Sequence, residues 1–241
     1  MSDHSLLAAS RTPSLGRRGF LRVSAASVAL VAAGCSTSTP QPVVPDPRQL
    51  ALPAGDKGLL YYTYLLAVGK SALYQKVADS PPTDLPADER TLFSRMRDHE
   101  VIHREVLRYL IDSTRTLALL PADLAFSLSS FGLTTRAGVL AAAKQLEDLA
   151  AAAYPPIVPL FSSTVLRGIL LKMSSVQARH AAAVRDLLAP GSFNDSTTVD
   201  ANGQLLTQTP TQVNAALAPF LAPYVLSVAA LPSPYEATFF A

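Results

Sequence analysis

An all-α fold is predicted for this 241-residue chain: a bundle of four long helices, with a long crossover between the second and third and a short extra helix near the C-terminus. Three observations predict it. Hydrophobic residues make up 49% of the sequence, enough for a sizeable core. Four segments each carry a seam of residues three and four apart, the spacing that lines one face of a helix. Each segment is bounded by residues that start or stop helices.

The first helix is predicted over residues 57–77 and is stopped by Pro81-Pro82. The second begins near Pro86, where proline and acidic residues suit a first turn, and continues to about residue 113. The connection that follows, including LLPADLAFSLSSFG, is long for a compact domain. In a bundle such a stretch runs along the full helix length. The third helix starts after Thr134 or Thr135 as N-cap and carries AGVLAAAKQLEDLAAAAY. Pro155-Pro156 is expected to kink or break it, because proline lacks an N–H and crowds the preceding turn. The fourth spans 165–188 and stops at Pro190-Gly191. Asn202-Gly203 signals a turn that closes a short hairpin. Thr209-Pro210-Thr211-Gln212 reads as a capping box with proline at the first helical position, opening a short helix toward Phe220. The end, LPSPYEATFFA, reads as extended or loose.

Ahead of this domain lies an export leader, residues 1–35. Arg17 and Arg18 precede an apolar stretch too short to span a membrane as a mature helix. The RRGFL run resembles a twin-arginine signal. Ala32-Ala33-Gly34-Cys35 resembles a lipobox, in which Cys35 is lipidated and becomes the new N-terminus. Residues 36–56, rich in Ser, Thr and Pro, read as a tether, residues 57–222 as the helical domain and 223–241 as a tail. The expected product is exported and anchored to the cell envelope through lipidated Cys35.

The formal net charge is +2, from 20 basic and 18 acidic residues. Four arginines and Asp3 precede Cys35, so removing the leader leaves a net charge of −1. The basic balance is a leader property and gives no reason to expect nucleic-acid binding. One Cys allows no internal disulfide. The chain has no phosphate-binding glycine loop, serine nucleophile elbow or Cys/His zinc pattern.

The seams themselves carry the chemistry. They read Leu60, Thr63, Ala67, Lys70, Tyr74, Val77; Phe93, Met96, Glu100, His103, Leu107, Leu110; Leu140, Ala143, Glu147, Ala150, Tyr154; and Leu170, Met173, Gln177, His180, Val184, Leu187. Polar residues fall at mid-length in every helix, flanked by apolar ones. A charged group on a core stripe must be paired or bind something. Glu100 and His103 form a Glu-x-x-His pair, the spacing by which helical bundles hold two metal ions. Tyr74 and Tyr154 read as packing residues with a hydroxyl hydrogen bond. His99 neighbours Glu100 but points elsewhere and reads as surface.

The strings SALYQKV, HEVIHREVL, QLEDLAAAAYPPIVPLF, SVQARHAAAVRDLL and TPTQVNAALAPFLAP, in this order and spacing, resemble the exported bacterial ferritin-like and desiccation-related group over residues 57–222. The twin-arginine lipoprotein-type leader fits that company. The resemblance implies a ferritin-like four-helix bundle. Its metal pattern is one Glu from the first helix, Glu-x-x-His from the second, one Glu from the third and Glu-x-x-His from the fourth. Carried over, the pattern keeps Glu100, His103, Glu147 and His180. Gln177 stands at the fourth helix's carboxylate position, and Ala67 at the first helix's.

Two carboxylates are therefore missing, and two divalent ions would be left with uncompensated charge. Gln177 offers a neutral oxygen but bridges cations poorly. Lys70 lies one turn from Ala67 on the same seam. Either it pairs with Glu100 or Glu147 and stands in for a metal cation, or it snorkels to the surface. The expectation is a degenerate di-metal site, binding one iron or manganese ion or none, with the two missing carboxylates leaning against an enzyme. The other reading is a metal-free structural, stress-related or partner-binding lipoprotein. Protein partners are not legible in the residues.

Overall fold

The computed structural model describes residues 46–232. The export signal with Arg17 and Arg18, lipidation site Cys35, the first part of the tether and residues 233–241 lie outside the described residues. The chain forms β1 (Gln49–Ala51), α1 (Gly55–Asp79), α2 (Ala87–Ile111), α3 (Arg136–Ile157), α4 (Thr164–Leu188), α5 (Pro210–Leu221) and β2 (Val225–Ser227). The all-α expectation holds. α1 packs along α2 and α3 along α4, and the two pairs meet through α1 and α3.

Local sequence accounts for the helix boundaries. Thr135 caps α3 by accepting a bond from the Gly138 N–H at 3.1 Å. Ser163 caps α4, accepting from Leu166. The capping box of Thr209 and Gln212 opens α5 as expected, with Pro210 in the first turn. Of the 23 seam residues named above, all are buried except Leu110 and Leu187, which are half-buried near helix ends. The heptad spacing thus identifies the inward face of all four helices.

The crossover runs the length of the bundle, and one ion pair demonstrates it. Arg136, at the start of α3, grips Glu89, at the start of α2, at 2.6–3.0 Å. The same guanidinium donates to the carbonyl of Leu187 at the end of α4. α2 and α3 therefore start at the same end and run parallel, so residues 112–135 must return the full length. Phe126, midway, stacks on Phe220 of α5, and the Ser127 N–H bonds the Phe220 carbonyl. A Cβ at Gly69 would meet the Phe126 ring, so glycine lets the crossover lie close on α1.

Two differences from the sequence reading have clear causes. α3 does not break at Pro155-Pro156. It continues to Ile157 and passes into a 3-10 turn, Val158–Leu160. The two prolines leave the carbonyls of Ala151 and Ala152 without their helical donors. The Gln208 N–H, just ahead of α5, supplies one to Ala152 at 3.0 Å. Second, β1 and β2 pair in parallel, Leu50 opposite Leu226, where the sequence reading placed tether and tail. Strands of three residues carry no readable periodicity. The turn at Asn202-Gly203 does close a short antiparallel bridge, Val199 to Leu205, with Gly203 at φ 75°. No described helix is long and apolar enough to cross a membrane.

Candidate functional site

The four helices bring their polar seam residues together at mid-bundle. α1 contributes Lys70 and Tyr74, α2 contributes Glu100 and His103, α3 contributes Glu147, and α4 contributes Gln177 and His180. Glu100, Glu147 and Gln177 are wholly buried, and Lys70 is 2% exposed. Of the two placements open to Lys70, the folded chain adopts the inward one.

The Lys70 ammonium sits between the two carboxylates. Nζ donates to Glu100 Oε1 at 2.9 Å and to Glu147 Oε2 at 3.0 Å. The Tyr74 hydroxyl donates to the other Glu147 oxygen, Oε1, at 2.6 Å. Gln177 turns its amide nitrogen inward, 3.3 Å from Glu100 Oε1 and 3.1 Å from His103 Nδ1. His180 Nδ1 lies 3.4 Å from Glu100 and 3.5 Å from Glu147. That is ion-pair proximity, but the nitrogen is too poorly aimed to make a hydrogen bond. Ala67 is buried and offers no donor atom.

His99 corrects the sequence reading. Its ring is exposed, but it does not point away from the site. Nδ1 lies 3.0 Å from His180 Nε2, with the two rings within 6° of parallel. Their centroids are 5.3 Å apart, which is the nitrogen separation plus one ring width. The rings therefore lie edge to edge in one plane, along a hydrogen bond, rather than face to face. The signal was present in the sequence: His99 and His103 are four apart and share one helical side. The heptad ladder passes over His99, which is why it was missed.

Electrostatics follow this arrangement. Burial by itself would raise the Glu100 carboxyl. The Lys70 ammonium and the neighbouring imidazoles of His103 and His180 outweigh it and hold the group well below the usual carboxylate range. Burial would likewise lower His180, but Glu100 and Glu147 beside it raise it above an ordinary imidazole. His99 is lowered by partial burial and by His180. These opposite shifts favour His180 as the donor and His99 as the acceptor in the bond between them. Burial, then the adjacent Glu147, drives the Tyr74 hydroxyl well above its ordinary range.

These residues fit one metal ion and do not fit two. Glu100, Glu147 and His180 each offer a ligand atom, all within 4.8 Å of one another, and so form a buried group that could bind a metal. Glu100 Oε2, Gln177 Oε1 and His180 Nδ1 are buried without a hydrogen-bond partner. A second ion would require carboxylates where Ala67 and Gln177 stand. It would also have to coexist with an ammonium already bonded to both remaining carboxylates.

Comparison with known families agrees with this architecture. The ferritin-like domain family model matches residues 55–190, more than half of the chain, and the chain belongs to that family. A search of curated proteins finds no significant match.

Proposed function

We propose that this protein is an exported, lipid-anchored ferritin-like domain whose central site is a degenerate di-metal centre. Its own Lys70 ammonium supplies the cation, and at most one iron or manganese ion binds, weakly. The observation that carries the reading is the position of Lys70 Nζ, 2.9 and 3.0 Å from the two core carboxylates. Two negative charges face one fixed positive charge, with His180 held above an ordinary imidazole beside them, so much of the cluster's charge is compensated without a metal. A single ion held by Glu100, Glu147 and His180 would supply positive charge and Lewis acidity there. It would compete with Lys70 for the same oxygens. Two-metal oxidation, which needs both ions close together, is not supported by this residue set. The same ion pair favours a second reading, a metal-free structural or partner-binding domain, if Lys70 never withdraws.

Envelope anchoring rests on the RRGFL run and the AAGC box at Cys35. Two measurements test the proposal. Mature protein purified without chelator should carry no more than one iron or manganese per chain, and two per chain would refute the site reading. Cys35→Ser should release the protein from the membrane fraction or block its processing. Normal processing and retention would refute the anchor.

A further inference from the structure

One end of the bundle gathers everything near the point where the chain enters the domain. β1 leads directly into the first turn of α1. There the Asp56 carboxylate accepts from the N–H and hydroxyl of Ser162 and from the Ser163 N–H, at 2.7–3.1 Å, and so ties the start of α4 to the start of α1. α2 is antiparallel to α1 and ends here. Leu119 and Leu120 of the crossover share a cleft with Leu50, Leu52 and Tyr61. β2 closes on β1, the Val225 N–H bonding the Arg48 carbonyl at 2.9 Å.

Among the described residues, four of the ten large apolar side chains that stand exposed lie at this end. Val165 is 69% exposed, Val225 63%, Tyr109 56% and Leu117 47%. They come from α4, β2, the end of α2 and the start of the crossover. Large side chains left in water on one end of a small domain mark a contact surface. Arg48, Lys57 and Arg167 stand exposed at the same end. Their stems can lie along an apolar boundary while the charges reach lipid phosphates.

Chain length selects the occupant. Ten residues separate Cys35 from Asp46, where the described domain begins. Fully extended they span roughly 35 Å. α1 and α4 have 25 residues each, about 37 Å at 1.5 Å per residue. If the far end of the bundle met the membrane, the entry point would stand a whole helix length above it and use the entire reach of that segment. With the entry end down, no extension is needed.

We propose that this end is a lipid-contact surface. Val165, Val225, Tyr109 and Leu117 enter the boundary between headgroups and acyl chains of the membrane that carries the anchor. The inference rests on the reading of Cys35 as lipidated. Apolar contact at the domain end would add to the acyl chains and fix the orientation of the bundle on the bilayer.

The chain has one cysteine, and lipidation occupies its sulfur, so a single engineered thiol can carry a polarity-sensitive fluorophore. The lipidated full-length mature protein would carry Val165→Cys, Leu117→Cys or, at the opposite end, Ser80→Cys. It would be reconstituted in phosphatidylcholine–phosphatidylglycerol vesicles with and without a spin-labelled lipid quencher. The expected result is a blue shift and strong quenching at positions 165 and 117, and neither at 80. Vesicle-bound protein with the same emission and quenching at 165 and 80 overturns the contact surface and leaves the anchor standing. Protein absent from the vesicle fraction overturns the anchor, and the contact surface with it. In a Cys35→Ser background without vesicles, a blue shift at 165 that grows with protein concentration would show that a second copy covers this end, which also overturns the proposal.

Discussion

Replacing Lys70 by alanine or methionine removes the only ammonium from a cluster in which Glu100 and Glu147 are wholly buried. Methionine keeps the length of the stem, so it separates lost charge from lost packing. Wild-type Nζ is bonded to both carboxylates, at 2.9 and 3.0 Å. Without it, two like charges share a dry site, relieved by His180, the Tyr74 hydroxyl and the Gln177 amide. Removing one partner from a buried ion pair typically costs about 3–5 kcal/mol. For a domain of this size each kcal/mol lowers Tm by about 2–4 °C, so the expected loss is roughly 6–20 °C.

The assay is a thermal melt followed by circular dichroism, in chelator, at pH 5 and pH 8. In the variant the buried carboxylates are easier to protonate than in the unfolded chain. Their folded pKa is then raised, and the penalty is full at high pH and shrinks as pH falls. The deficit against wild type should therefore be larger at pH 8. Manganous ion should raise the Tm of Lys70→Ala more than that of wild type, since binding to the folded state alone stabilises it. A loss under about 1 kcal/mol, with no pH dependence, would refute the reasoning, because exposed ion pairs are worth about that much.

Restoring carboxylates with Ala67→Glu and Gln177→Glu should create tight two-ion binding only when Lys70 is also replaced. Titration calorimetry with ferrous or manganous ion would check this, and equal affinity with and without Lys70 would contradict it. His180 sits above its ordinary range because of Glu100 and Glu147. Its contribution is thus fully present below about pH 6.5 and is lost as pH rises through the folded value. His180→Gln should flatten the fall of stability above about pH 6.5 in denaturant titrations across pH. Gly58→Ala should destabilise the fold by about 1–3 kcal/mol, since the new Cβ would run into the Pro53 carbonyl oxygen on the β1–α1 connection. Urea unfolding would measure it.

The seam residues were legible before folding because a helix forces residues three and four apart onto one side. That rule placed Glu100, His103, Glu147, Gln177 and His180 on inward faces, and the family resemblance set the order of helices. Capping at Thr135, Thr209 and Gln212 was legible for the same local reason. The break expected at Pro155-Pro156 does not occur because the support of α3 there is not local. The donor to Ala152 is Gln208, more than fifty residues on. β1 and β2 were invisible because each has three residues and its partner lies far away in the sequence.

The sequence by itself determined that four helices bury a polar centre and that two of the family's four carboxylates are absent. The first depends on residue identity and helical period, the second on the resemblance to the ferritin-like group. Only the tertiary structure decided where Lys70 goes, because a long flexible stem can reach water or core with equal ease from the same backbone position. Its choice depends on Glu100 and Glu147 being brought within 3 Å by helices α2 and α3. The same holds for His99, whose neighbour His180 is 81 positions away and meets it only when α2 lies against α4.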